Sequence, residues 1–273
     1  MRALFFVVAL AAAQLAVAQT PETKAAQRLL VSSGLQVQLG GLTAQMGKQL
    51  QVYRGQMPDD VIEVLGEASR EAFQADALRA EIVGALPAKL KTEEMDRASA
   101  WLEGPTGRRV TKAEEDGAGG PDPAAMKAFV QQVKAKPLTP ERVGLIQELI
   151  NVTGSEALNQ KLMEAMAFAV MLGIDSTQPA EKRLGTERLR AELKKAMPPE
   201  QLAQHIRAAL PAQFSFTYRN VSDADLKAYV DFLRGPIGKP YNDAVFEVFT
   251  AALVAASFRM GRLVDTTFSK RRT

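Results

Sequence analysis

The sequence predicts an all-α protein made of two related helical-bundle units. Apolar residues recur with the helical period along most of the 273-residue chain. The clearest apolar seam lies near the C-terminus, at spacings of three and four: Phe246, Phe249, Leu253, Ala256, Met260 and Leu263. A helix–Gly-Pro–helix pattern also occurs twice. Cysteine is absent, so a packed core and not disulfides must stabilise the fold.

The N-terminus has the composition of a secretory signal peptide. Arg2 supplies a positive charge, residues 3–13 are apolar, and residues 16–18 read Ala-Val-Ala, a small-x-small cleavage site. The apolar run is about half as long as the ~20 residues of a membrane-spanning helix. We therefore expect cleavage after Ala18, a mature chain that begins at Gln19, and a periplasmic or secreted protein.

Further helices are predicted from the same period in the mature chain. In chain order they are expected at 35–53, 59–86, 92–103, 124–135, 141–152, 155–172, 181–197 and 200–210, and the C-terminal helix is expected to begin at Pro236. Thr139-Pro140 and Ser222 are predicted helix starts.

Two segments depart from the helical pattern. Phe214, Phe216 and Tyr218 alternate with polar residues. Since one short strand cannot form a sheet, this alternation predicts an extended loop that packs its aromatic rings onto the helices. Residues 117–123 are rich in Gly and Pro, which predicts a linker.

Similar segments on either side of this linker indicate an internal duplication. Residues 29–46 align with 149–166, so that Gly34 matches Gly154, and residues 86–88 recur as 210–212. The predicted organisation is a signal peptide (1–18), a first helical unit (19–118), a linker with a connecting helix (119–136), a second helical unit (137–268) and a basic tail (269–273).

The most specific match between the two units is an eight-residue motif. It comprises Trp101, Gly104, Pro105, Gly107 and Arg108 in the first unit, and Phe232, Gly235, Pro236, Gly238 and Lys239 in the second. The first Gly is expected to end one helix in the left-handed conformation, and Pro to open the next. The second Gly permits close helix contact, and the aromatic residue packs into the corner. A tight structural corner is the preferred interpretation; a paired anion site built from the two basic residues is the alternative.

With this motif, the exported, Ala-rich helical chain resembles the bacterial family called domain of unknown function 2059. The family pattern usually has Ser before the Pro, whereas this chain has Gly104 and Gly235. The resemblance is better in the second unit, over residues 200–264. In the first unit, the helix that should follow the motif is either truncated or displaced to 124–135. The resemblance implies a helical envelope protein and supplies no activity.

The commonest catalytic and nucleic-acid-binding patterns are absent from the sequence. The net charge is +3, and +2 once Arg2 is removed, which gives little support for nucleic-acid binding. His205 is the single histidine and there is no cysteine, so a zinc site with several imidazole or thiolate ligands is excluded. Nucleophile motifs and phosphate loops are also missing. We expect no metal and no cofactor, and we interpret the acidic run 114–116 and the basic helix 181–195 as solvated.

These observations favour a non-enzymatic interaction or binding module of the cell envelope. The alternatives are a hydrolase with a carboxylate-based site and a carrier of an apolar ligand between helices. The expected partner is another protein or a second copy of the chain. A weak contact of Arg271 and Arg272 with an anionic membrane surface is a further expectation.

Overall fold

The chain is all-α, as predicted, in a computed structural model that describes residues 20–52, 55–120 and 122–271. The expected signal peptide lies outside these residues. The helices are α1 (Pro21–Ser32), α2 (Leu35–Val52), α3 (Asp59–Ala72), α4 (Ala75–Ala85), α5 (Thr92–Leu102), α6 (Pro105–Asp116), α7 (Pro123–Ala135), α8 (Pro140–Thr153), α9 (Ser155–Thr177), α10 (Thr186–Ala196), α11 (Pro199–Thr217), α12 (Asp223–Arg234) and α13 (Gly238–Arg271). Short 3₁₀ turns lie at Leu86–Ala88 and Ala180–Lys182.

Hydroxyl side chains cap the starts of α1, α8 and α12. The hydroxyl groups of Thr20, Thr139 and Ser222 accept hydrogen bonds from backbone N–H groups of the first turns of α1, α8 and α12. Pro follows both threonines at the first helical position, where a missing N–H costs nothing. The predicted starts at Thr139 and Ser222 are confirmed.

Two of the predicted helices are shorter than expected. The single helix predicted over 59–86 is wrong, because the chain breaks between α3 and α4 at Phe73, whose side chain is fully buried. The helix predicted from 181 begins only at Thr186. It follows Gly185, whose φ of +77° is a conformation that favours glycine.

The extended loop predicted at 214–218 is also wrong, because α11 continues through Pro211 to Thr217. Leu210, Phe214 and Tyr218 are spaced by four residues and all reach the main core. The sequence of this segment therefore fits the helical period as well as the alternating, strand-like one. Pro211 is exposed, so its ring is accommodated on the outer face of the helix.

The same order of helices occurs on either side of α7. Helices α1–α6 correspond to α8–α13, and the first two helices of each set are separated by a left-handed glycine, Gly34 (φ +70°) and Gly154 (φ +65°). Equivalent helix pairs pack together: the first helix contacts the fifth, and the second contacts the third and fourth, in both sets. These similarities support the proposed duplication. In this order α6 takes the place of α13 and is shorter, which favours the truncated equivalent over the displaced one.

The two motif corners have nearly the same backbone conformation. Gly104 has φ −69° and ψ 168°, and Gly235 has φ −72° and ψ 168°, so both are extended and the expected left-handed cap is wrong. A Cβ atom on Gly107 would lie 2.4 Å from the carbonyl oxygens of Trp101 and Leu102. On Gly238 it would lie 2.1 Å from the carbonyl oxygen of Phe232. The second glycine thus allows the chain to fold back tightly.

The two corners meet in space. The rings of Trp101 and Phe232, the aromatic residues of the two motifs, stack with centroids 4.0 Å apart and planes 6° from parallel. The first corner also binds the start of α12, because Thr106 and Arg109 both donate hydrogen bonds to the Asp225 carboxylate. These bonds, with one from Ser222, hold the pKa of Asp225 well below its usual range.

The two units share one main core. The last helix of each set packs on the other: α6 contacts α11 and α12, whereas α13 contacts α3, α4 and α5. Within the second set, α13 crosses α9 in backbone contact, since a Cβ on Gly173 would lie 2.3 Å from the carbonyl oxygen of Phe258. Among the described residues, α13 is the one helix long and apolar enough to span a membrane. Its buried face is accounted for by these helix contacts.

Candidate binding sites

An apolar groove opens between α9, α10 and α13. Its volume is about 830 Å³. Small residues on α9 and α13 form the floor, and larger apolar side chains form the walls. The groove is lined by Ala165, Phe168, Ala169, Leu172, Leu193, Met197, Ala251, Val254, Ala255 and Phe258, together with four charged residues and Pro199. Because Ala251 and Ala255 are exposed, part of this apolar floor is open to solvent.

The charged residues at the groove are mostly basic. Lys161, Arg190 and Lys194 line it, against one acid, Glu164. The Arg190 guanidinium lies 4.6 Å from the ring centroid of Phe168, where it is attracted by the aromatic face. The basic helix expected to be merely solvated therefore contributes two cations to an apolar groove.

Two aspartates hold α10 beside this groove. Asp175, at the end of α9, is buried and accepts hydrogen bonds from the backbone N–H groups of Leu184, at 2.7 Å, and Gly185, at 3.3 Å. Asp265 of α13 accepts from Thr177 and Gln178, both at 2.7 Å. These bonds fix the segment between α9 and α10, and so position the basic residues of α10 at the groove.

A second site centres on Glu114 in α6. The phenol of Tyr218 donates to its Oε1 at 2.6 Å, and the phenol of Tyr229 donates to the same oxygen at 3.0 Å. Burial raises the pKa of Glu114 to about 7, although both phenols favour the ionised form. Burial and the charge of Glu114 raise the pKa values of both tyrosines and of Tyr241.

The turn that carries Tyr218 is held by a buried arginine. Arg142 of α8 donates to the carbonyl oxygens of Tyr218, at 2.5 Å, and Val221, at 2.7 Å. It also forms an ion pair with Asp223 at 2.7 Å. Because Arg142 fixes the backbone after α11, it also fixes the phenol that reaches Glu114.

A cleft of mixed polarity opens beside Glu114, between the two helical units. Its volume is about 440 Å³. The lining contains four side-chain amides, two phenylalanine rings and a glycine-rich rim: Gln38, Gln45, Asn159, Gln213, Phe216, Phe249, Gly117, Gly119 and Gly120. The rim belongs to the predicted linker, which packs tightly here, since a Cβ on Gly41 of α2 would lie 2.5 Å from the Gly119 nitrogen.

The two basic residues of the repeated motif are not brought into one described pocket. Arg108 lines an open basic pocket of about 510 Å³ with Arg109, Lys112 and Arg219. Lys239 instead pairs with Asp243 on its own helix at 2.7 Å. The geometry thus gives the paired anion site no support.

The other sequence-level candidates lie apart from both clefts. His205 is exposed on α11, and its Nδ1 lies 3.1 Å from the carbonyl oxygen of Gln201. Within the described ranges, no group of three His, Cys, Asp or Glu side chains is arranged to hold a metal. The first residues of the predicted tail, 269–271, continue α13. Arg272 and the side chain of Arg271 lie outside the described residues.

Sequence reasoning missed Glu114, which was interpreted as one of three solvated acids beside a linker. Its phenol partners lie 104 and 115 residues further along the chain. No local pattern links them. The one available signal was compositional, because three of the four tyrosines cluster between residues 218 and 241.

No protein-family model, no curated protein and no solved structure matches this chain.

Proposed function

We propose that the protein is an exported, non-enzymatic binding module whose ligand is an elongated apolar molecule with an anionic group. The observation that carries the proposal is the groove between α9, α10 and α13, where an apolar trough meets three basic side chains. Its volume falls in the range of small-ligand sites. This proposal combines the binding module and the apolar-ligand carrier that the sequence left open.

The chemistry of the groove selects the ligand class. Burying a methylene group contributes about 0.8 kcal/mol, so an extended chain on the alanine floor supplies most of the affinity. An anionic head group placed near Arg190 and Lys194 adds electrostatic attraction and orients the chain. The basic rim disfavours a cationic head group for the same reason.

The hydrolase alternative has weaker support. Acid–base hydrolysis of the kind that uses two carboxyl groups needs a second acid about 5–10 Å from the first, across the bound substrate. Glu114 is the only carboxylate among the described residues that line its cleft. The geometry therefore favours binding over hydrolysis.

The proposal is tested by titration with fluorescent fatty-acid analogues in the presence of competing hexadecanoate or hexadecanol. We expect hexadecanoate to compete better than the neutral alcohol. Ala255→Trp should weaken binding more than tenfold, because an indole on the floor displaces about two methylene groups of ligand. Ala128→Trp, at an exposed position on α7, is the matched control and should bind as the wild type does.

The charge requirement is tested separately. Lys194→Gln should weaken hexadecanoate binding by about two- to fivefold, since exposed ion pairs contribute up to about 1 kcal/mol, and should leave hexadecanol binding unchanged. Lys195→Gln, its neighbour outside the groove, should change neither. Equal competition by both amphiphiles, or equal effects of the Trp substitutions, would contradict the proposal. Capture of an acidic amphipathic peptide in place of the fatty acid would assign the groove to a protein partner.

A further inference from the structure

The cleft beside Glu114 presents hydrogen-bonding groups that the fold does not use. Both phenols donate to Oε1 of Glu114. No described residue donates to Oε2, so this oxygen is left to accept a hydrogen bond when the carboxyl group is ionised, or to donate one when it is protonated. Glu114 lines the cleft and is partly exposed, so a ligand in the cleft can reach this carboxyl group.

Four amides surround the same opening. Asn159 donates one hydrogen bond, from Nδ2 to the carbonyl oxygen of Ser155 at 2.7 Å, which leaves its Oδ1 without a described donor. The side chains of Gln38, Gln45 and Gln213 have no hydrogen-bond partner among the described residues. Each amide offers both a donor and an acceptor. The cleft therefore matches a ligand whose polar groups also act in both ways.

The other lining residues of the cleft restrict the chemical class of the ligand further. Phe249 is half-buried and provides apolar surface beside the amides together with Leu42 and Met126, whereas the Phe216 ring is buried. None of the described lining residues is Lys or Arg, so the cleft has no positive charge to attract an anion. An amine would pair with Glu114 but would leave the amide N–H groups without acceptors, because a protonated amine only donates. A hydroxyl group both donates and accepts, and a sugar ring adds C–H faces that pack on aromatic rings.

We propose that this cleft binds a neutral, hydroxyl-rich ligand with the chemistry of a short oligosaccharide. The ligand lies between the two helical units, with hydroxyl groups on the Glu114 carboxyl group and on the amides, and with a ring face on Phe249. The site is separate from the apolar groove between α9, α10 and α13. Its existence is thus independent of the function proposed for that groove.

The test measures binding of three neutral trisaccharides, maltotriose, cellotriose and chitotriose, to the full mature chain. Saturation-transfer NMR detects contact, and calorimetry gives the dissociation constant. We expect at least one trisaccharide to bind with a dissociation constant of about 1 mM or tighter, a range typical of sites that rely on a few hydrogen bonds. Spermidine serves as the cationic probe and should not compete.

Variants at exposed positions of α11 locate the site without disturbing the core. Gln213→Leu removes a cleft amide and should weaken trisaccharide binding about tenfold. Gln204→Leu makes the same change on an exposed face of the same helix and should have no effect. The proposal is overturned if none of the three sugars binds, if spermidine displaces them, or if the two Leu variants bind equally well.

Discussion

Replacing Glu114 with Gln should stabilise the fold at high pH, because it removes the free-energy cost of burying an ionised carboxyl group. The pKa of this carboxyl rises from its ordinary 4.5 to about 7 because packing beside the cleft withdraws it from most of the solvent. Gln is nearly isosteric, and its amide oxygen can still accept from Tyr218 and Tyr229. The variant thus changes the charge while keeping both phenol bonds.

The sign of the effect follows from where the proton is bound. Below pH 4.5 the carboxyl is protonated in the folded and the unfolded chain, so Glu and Gln contribute alike. Between pH 4.5 and about 7 the unfolded chain loses the proton while the folded chain keeps it, and stability falls as the pH rises. Above about 7 the penalty is complete. At about 1.4 kcal/mol for each pH unit, it amounts to about 3 kcal/mol.

The assay is urea unfolding at a series of pH values between 4 and 8.5, followed by fluorescence. Trp101 is the only tryptophan, and it stacks on Phe232 at the centre of the fold, so its emission reports unfolding. We expect the free energy of unfolding of Glu114→Gln to equal that of the wild type near pH 4 and to exceed it by about 3 kcal/mol at pH 8. Tyr218→Phe removes a phenol that favours the ionised form, so the pKa of Glu114 should rise further and the loss of stability should extend to higher pH than in the wild type. If the free energies of unfolding of the wild type and of Glu114→Gln change with pH in parallel, the raised pKa of Glu114 is refuted.

Three other predictions concern the corners, the buried arginine and export. Gly238→Ala should lower the free energy of unfolding by at least about 2 kcal/mol, because the new Cβ meets a backbone carbonyl at 2.1 Å. Gly144→Ala, within α8 and with open space around it, should instead raise it by about 0.5–1 kcal/mol, and similar effects in urea titrations would contradict the tight corner. Arg142→Met should cost about 3 kcal/mol in the same titrations, because the carbonyls of Tyr218 and Val221 lose their donor, and an unchanged midpoint would contradict that role. N-terminal sequencing of protein recovered from the source envelope should begin at Gln19, and a start at Met1 would exclude cleavage.

The helical fold was predictable because its apolar period is long and regular. The seam of α13 is an example, and five of its six predicted residues reach the core: Phe249, Leu253, Ala256, Met260 and Leu263. The break at Phe73 was not predictable, since no Gly or Pro marks it and tertiary packing buries that ring. The segment 214–218 fits both a strand and a helical period, and the contacts of α11 decide between them.

The sites were less predictable than the fold. The second motif glycines were correctly assigned to a close approach, because glycine has few other reasons to follow Pro at that spacing. Glu114 was not recognised, because its environment is made by residues more than 100 positions away. The apolar groove was equally hidden. Its alanines look like ordinary helix formers in sequence, and they line an open groove only because α9, α10 and α13 meet there.

The exchange of terminal helices between the units has a consequence for the order of folding. Arg259 of α13 reaches back to the carbonyl oxygen of Ala72, a separation of 187 residues. The N-terminal helices therefore lack part of their packing until synthesis has delivered the last helix, and contacts of this range form slowly. A chain that stays incompletely folded until its C-terminal helix has been synthesised can still pass in an extended form through a narrow translocation pore. In a protein that we propose to be exported, late closure by α13 would couple folding to arrival on the far side of the membrane.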